Sequence, residues 1–330
     1  MFELIRHVDA EERALLGALG RLPSGARLRE IPVSPEPGAL DAGSRPAMFF
    51  KDDSGQRYLF KVYDDDLAIA AEELSCEVRA MGGRPTVAVA RRTLTMPELG
   101  TLSGMLQPLV DHSGERLSSD PLAWSALQRE VLLREHPWEW LLANLDTHAD
   151  QYILVGPSRH PLNIDWDHTL VDLDVTELSR FTKRGVAIAP IRNLLYDAYA
   201  NAALRFELWG LRRECARIAA LDDRALAAAV ERYARAISAS DGRRRELVEA
   251  MLARKHDLRR TFERLLATMR RERVEAVYGA RGLGPRARRL GTNLQDVWQR
   301  TLVTVLHERV IRRALKAYRA VNSALARKRH

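Results

Sequence analysis

The residues best suited to do chemistry lie in one stretch, LLANLDTHADQYILVGPSRHPLNIDWDHTL, residues 141–170. Asp146 and Gln151 are five apart, and Asp165 follows fourteen later. Phosphoryl transfer needs parts of this kind. A carboxylate accepts or orients the proton of the attacking hydroxyl, and oxygen ligands hold Mg²⁺ against the β- and γ-phosphates. His148 sits inside the stretch. No HExxH or HxxxH spacing surrounds it and no cysteine is near, so it reads as a group that packs inside the loop and orients Asp146 or the Asp165 strand. Trp138, Trp140 and Trp166 read as core beneath the loop.

The surrounding pattern predicts elements that would carry these groups. Residues 4–20 have helical spacing of Leu4, Val8, Leu15 and Leu19, and a short strand is expected near Leu28–Val33. MFFKDDSGQRYLFKVY predicts a hairpin about the turn Asp52-Asp53-Ser54-Gly55. A helix is predicted over Asp66–Met81, ended by Gly82-Gly83 and Pro85, followed by two strands in TVAVARRTLTM and TLSGMLQPLV. Beyond residue 110 the pattern turns helical, over Pro121–Glu135 and over Trp138–Ala143, with Pro137 at a first-turn position. QYILV and LNIDW are short strands, and everything from about Ile191 reads as helix. The expected fold is therefore α+β in two lobes, a small strand-rich lobe over residues 1–110 and a larger helical one over 111–330, the arrangement of protein-kinase-like enzymes.

Asn144-Leu145-Asp146-Thr147-His148 followed by Gln151 resembles the Asn-x-Asp-x-His-x-x-Asn loop of HipA-like kinases and of the related phosphatidylinositol 3-/4-kinase-like proteins. Ile164-Asp165-Trp166-Asp167 resembles the metal strand of those kinases and of aminoglycoside phosphotransferases. Ala42-Gly43-Ser44-Arg45-Pro46 resembles their phosphate loop, and Tyr58-Leu59-Phe60-Lys61 the strand of the nucleotide lysine. The likeness covers roughly residues 40–170. It implies ATP and Mg²⁺ as cofactors and a protein Ser/Thr acceptor, with lipid and small-molecule acceptors as alternatives. It also implies roles: Asp146 as catalytic carboxylate, Asp165 as main Mg²⁺ ligand, Gln151 as second ligand, and Lys61 on the α- and β-phosphates. Gly43 and Ser44 would offer backbone N–H groups to phosphate. Glu73 is the expected carboxylate partner of Lys61, with Glu72 and Glu77 as competitors. Gln107-Pro108-Leu109 would line the adenine. The sequence departs from the family at position 151, which has Gln for Asn and is one methylene longer. Either the loop compensates, or Asp150 supplies the oxygen, or transfer is weakened. Asp167 is the alternative to Asp165, since alternate strand residues share a face.

Composition sets the wider bounds. With 330 residues, 46% hydrophobic and 29% charged, the chain can bury a sizeable core, which excludes a disulfide-stapled miniprotein and a disordered chain. Two distant cysteines, Cys76 and Cys215, and no apolar run long enough for a bilayer predict a cytoplasmic protein without a transmembrane segment. The net charge of +8 is polarised. Residues 1–180 hold 18 Lys+Arg and 29 Asp+Glu, whereas residues 181–330 hold 34 and 15. The basic C-terminal helices, with Arg243-Arg244-Arg245, Arg259-Arg260 and Arg286–Arg289, and an amphipathic helix over 297–325, raise the prospect of a partner. Nucleic acid, an anionic membrane or an acidic protein would fit. A non-catalytic kinase-like module using those helices, or a nucleotidyltransferase on the same fold, are the competing functions.

Overall fold

The computed structural model describes residues 2–19, 29–31, 47–63, 65–96, 100–110, 112–144, 147–170, 195 and 209–278, with backbone alone at 2, 17–18, 29–31, 47, 96, 112–113 and 264–278. The chain divides into a unit of Met1–Glu272 and a second of Arg273–His330. The first is described below. The expected phosphate loop with Gly43 and Ser44, the carboxylate Asp146 and the helix over 297–325 lie outside the described residues.

The fold is mixed α/β, a strand-rich region followed by a helical one. α1 (Phe2–Ala18) precedes an antiparallel sheet of β1 (Arg29–Ile31), β2 (Ala47–Lys51), β3 (Arg57–Val62), β4 (Ala90–Met96) and β5 (Gly100–Pro108), in the order β1-β2-β3-β5-β4. The β2–β3 hairpin closes at the predicted turn. The Asp52 carboxylate accepts from the Ser54 and Gln56 N–H groups and from the Tyr58 hydroxyl, and Gly55 supplies the positive φ of 92°. Alternation then sorts β3 between faces. Tyr58 and Phe60 join Phe50 and Leu106 on one side, which leaves Leu59 and Lys61 on the other.

α2 (Asp66–Met81) ends where the sequence predicts. Asp65 caps its first turn by accepting from the Ala68 N–H, and Gly82 closes its last. Gly82 is also a packing requirement, because a Cβ there would stand 2.0 Å from the buried Trp138 ring. α3 (Ala126–Leu141) starts at a capping box of Ser125 and Gln128. It is one helix rather than the two expected, and Pro137 lies inside it, not in a first turn. The cost of the missing N–H is offset by burial: every residue from Glu130 to Asn144 is buried.

A second sheet, β6 (His112–Arg116), β7 (Tyr152–Val155) and β8 (His160–Asn163), follows the order β6-β7-β8. β6 was not expected, since HSGER carries no apolar alternation. α4 (Trp209–Ala219), α5 (Asp223–Ala236) and α6 (Asp241–Tyr278) complete the described elements. The main core joins Leu74 and Val78 of α2, Leu132 and Trp140 of α3, Ile218, Val230 and Leu258. Among the described residues no helix is long and apolar enough to cross a membrane.

Candidate functional site

Lys61 sits on the α2-facing side of β3, and its side chain is 15% exposed. Its ammonium donates to Glu72 Oε1 at 3.0 Å and to the Ile164 carbonyl at 3.1 Å, and stands 3.7 Å from Asp165 Oδ1. One cation therefore ties β3, α2 and the segment that leaves β8. Burial opposes the charge on Lys61, but Glu72, Asp165 and Asp167 outweigh it and raise its pKa. The ammonium stays charged at neutral pH. Tyr63 also donates its hydroxyl to Glu72 Oε1, so two donors fix that carboxylate.

The partner of Lys61 is thus Glu72, and the expectation of Glu73 is corrected. Glu73 accepts from the Arg91 N–H at 3.1 Å, and Glu77 pairs with Arg232. The helix period explains the sorting. Asp66, Glu73, Glu77 and Ala80 fall on one partly exposed stripe, whereas Glu72 shares a buried face with Ser75 and Arg79. That spacing of seven, four and three was legible beforehand and would have removed Glu73 and Glu77.

The same buried face of α2 latches the segment after β8. Ser75 Oγ donates to Thr169 at 2.7 Å, and the Arg79 guanidinium lies 4.3 Å over the Trp166 ring. Arg79 also pairs with Glu135 of α3, which in turn meets Arg84. Burial would raise the Glu135 pKa, but the two arginines pull it down to about 2. Arg84 and Arg134 continue through Glu12 to α1. Breaking one partner of such a buried pair costs about 3–5 kcal/mol, so the network fixes α2 against α3.

Asp165 lies just past β8, with 40% of its side chain exposed. Its N–H donates to Asn163 Oδ1 at 2.9 Å. Asp167 is 6% exposed and 3.8 Å from His168, so Asp165 is the one presented to solvent. Gln151 ends a short 3-10 turn, Ala149–Gln151. Its backbone carbonyl accepts from Ile164, which sets it beside the Asp165 segment. Its side chain is 3% exposed, and neither amide atom has a partner. Asn144 is fully buried with both amide atoms unpartnered, and Asn163 Nδ2 is unpartnered as well. Each such atom costs about 1–3 kcal/mol unless a ligand or ordered water meets it. Asn144 opens the loop motif but had no expected role, and Asn163 was not singled out; an amide two residues before Asp165, matching the one two before Asp146, was the available signal. Among the described residues no group of three or more His, Cys, Asp or Glu could hold a metal. Mg²⁺ held against phosphates needs only one or two protein oxygens, which Asp165 and the orphaned Gln151 amide fit.

Two further expectations change. His148 does not pack inside the loop: its side chain is 54% exposed, with Nδ1 3.8 Å from Asp150 Oδ2. The buried Ala149 and Gln151 on either side of Asp150 take the inward positions instead. Asp150 itself is 84% exposed, so its carboxylate faces water while Gln151 turns in. At the other end, the Leu109 N–H donates to the Arg57 carbonyl at 2.8 Å and is not free for a nucleobase. Gln107 is buried on the Lys61 side of β5, lining a small pocket with Glu72, Cys76, Asn163, Ile164 and Trp166. Trp138, Trp140 and Trp166 are core, all 5% exposed or less.

The basic helices also read differently. Residues 209–263 hold thirteen Lys+Arg and nine Asp+Glu. Arg243, Arg244, Arg259 and Arg260 each pair with a carboxylate three or four residues away on α6. Most of the surplus, seventeen Lys+Arg against four Asp+Glu, falls in residues 264–330, whose side chains lie outside the description.

No family model matches the chain, and no curated protein matches it. Solved structures resemble it, two of them as follows. One is the Helicobacter pylori proinflammatory kinase CtkA, with TM-score 0.44, 10% identity, and coverage of 73% of this chain and 97% of that one. The other is a Shewanella oneidensis toxin–antitoxin complex of HipA, HipB and operator DNA, with TM-score 0.31, 14% identity, and coverage of 77% of this chain and 75% of that one.

Proposed function

We propose that the protein is an ATP-dependent phosphotransferase that moves the γ-phosphoryl group to a hydroxyl, with a protein Ser or Thr as acceptor. The observation that carries this reading is the Lys61 ammonium, held by Glu72 and the Ile164 carbonyl within 3.7 Å of Asp165. A strand lysine oriented by a helix carboxylate beside a half-exposed Asp is an arrangement for binding a charged polyphosphate, since catalysis here is mainly positioning and charge stabilisation.

In this reading Lys61 contacts the α- and β-phosphates. Asp165 and Gln151 would hold Mg²⁺, which supplies positive charge to the phosphate oxygens when bound. Asn163 fixes the backbone of Asp165. Asp146 orients the acceptor hydroxyl and receives its proton as the oxygen attacks phosphorus and ADP leaves. Gly43 and Ser44 would cover the phosphates with backbone N–H groups, and the buried Gln107 end of β5 would back the adenine. The surplus of seventeen Lys+Arg over four Asp+Glu in residues 264–330 would serve as the basic surface for an acidic partner.

Incubation with γ-labelled ATP and Mg²⁺ should label the protein itself or an added protein acceptor, with loss in Asp146→Asn. Label arriving only from α-labelled ATP would replace this reading with nucleotidyl transfer. Label confined to extracted lipid would replace the acceptor. No label from either would leave a non-catalytic module.

A further inference from the structure

Arg254 of α6 lies 1% exposed at the point where α3 ends. Its Nε donates to the Leu141 carbonyl at 3.2 Å and its Nη2 to the Trp140 carbonyl, while the guanidinium stacks 3.9 Å over the Trp140 ring. Among the described residues no carboxylate pairs with it. The last carbonyls of a helix have no partners within the helix and carry its negative dipole end, so a cation is well placed there. The cation is nonetheless costly to bury. Desolvation pushes its pKa down to about 9, which leaves it charged at neutral pH.

An apolar side chain of similar volume would avoid that cost. It could not hold two successive carbonyls in fixed directions. The chain needs such a hold here, because it turns at once. Ala143 takes a φ of 49°, unfavourable for a residue with a Cβ, and the Asn144 N–H returns to the Glu139 carbonyl at 3.0 Å. Asn144 then bridges to Thr169, which accepts from Ser75 of α2. Seven residues on from Asn144 in sequence, Gln151 closes the 3-10 turn Ala149–Gln151.

We infer that Arg254 is a positioning residue for the turn that ends α3, fixing from α6 the point at which the helix stops and hence where Asn144, bridged to Thr169, stands. The inference rests on the phosphotransferase reading for its consequence in catalysis, and on the α3 turn alone for its consequence in local order. Lys61 and Glu72 do not touch Arg254, so order in β3 and α2 is separable from it.

The test uses the full chain with Arg254→Met, which keeps the stem on Trp140 and removes the donors, and Arg254→Lys, which restores one donor and the charge. Amide hydrogen exchange over residues 142–151 should quicken at least about tenfold in Arg254→Met, with little change over 57–63 and 66–81, and by less in Arg254→Lys. In transfer assays kcat/KM for ATP should fall about tenfold or more, with partial rescue by Lys. Exchange unchanged over 142–151, or raised evenly through the chain, would overturn the inference, as would an unchanged kcat/KM in an active protein. If Arg254→Met does not fold, the Lys variant is read by the same criteria. If the wild-type chain transfers no phosphoryl group but the local exchange response appears, the phosphotransferase reading falls and the positioning role stands.

Discussion

Replacing Glu72 by Gln, with Glu73→Gln beside it, separates the pairing drawn above from its nearest rival. At 3.0 Å and an effective dielectric near 20, the Lys61–Glu72 attraction is about 5–6 kcal/mol before desolvation. Gln keeps an acceptor for Lys61 and Tyr63, relieves the cost of burying a carboxylate, and leaves Asp165 at 3.7 Å to draw the ammonium. A net loss of about 2–3 kcal/mol in transition-state stabilisation follows, in the range measured for hydrogen bonds to charged groups. That corresponds to roughly a 30- to 150-fold fall in kcat/KM for ATP. Glu73, 37% exposed and facing Arg91, should change it by no more than about twofold on replacement, as for an ordinary surface position. The assay is initial-rate transfer from γ-labelled ATP, with circular dichroism to establish that both variants are folded. Equal losses in the two variants, or a Glu72→Gln protein as active as wild type, would refute the reasoning.

Gln151→Asn should preserve or raise transfer, and Gln151→Ala should lower it about 10- to 100-fold in a rate assay at varied Mg²⁺; an unchanged Ala variant would remove Gln151 from the metal site. Gly104→Ala places a Cβ 2.1 Å from the Lys61 carbonyl oxygen, so β3 and β5 must part at the lysine. A loss of about 1–3 kcal/mol in urea unfolding and weaker ATP binding are expected. Acid unfolding should show two stages. Burial, only partly opposed by Glu12, pushes His160 down to about 4, so its neutral form favours the native state. About 3 kcal/mol is then lost as pH falls from 6.5 to 4. Glu135, held at about 2, contributes a similar amount that is lost between about pH 4.5 and 2. Melting temperature against pH should lose its first stage in His160→Asn and keep its second.

Much of the site was legible because its signals are local. The Asp52–Gly55 turn fixed the hairpin that carries Lys61, and Gly82-Gly83 ended α2 at the predicted residue. Spacing within one stretch nominated Asp165 and Gln151, whose segments are joined by the Ile164 N–H to Gln151 carbonyl bond. What was missed depends on tertiary burial. Lys61 could not reveal which of three nearby glutamates it meets, although the helix period of α2 contained the answer. The outward turn of His148 follows from which neighbours the 3-10 turn buries, and composition does not record that. β6 pairs through backbone groups next to β7, so its polar sequence gave no sign. Arg254 read as one basic residue among many on α6, and only the end of α3 against it gives it a role. Four of the arginines that suggested a basic stripe over 181–330 pair with carboxylates on α6, and most of the charge surplus falls in residues 264–330, whose side chains are not described.

The central claim is that Lys61, Asp165 and Gln151 form a Mg²⁺-dependent nucleotide site, and titration calorimetry of ATP into the full chain tests it most directly. The account predicts saturable one-to-one binding with Mg²⁺ present, weakened without it, and lost in Lys61→Met and Asp165→Asn while both variants remain folded. No binding of ATP by the wild-type chain, or binding indifferent to Mg²⁺ and to both substitutions, would contradict it.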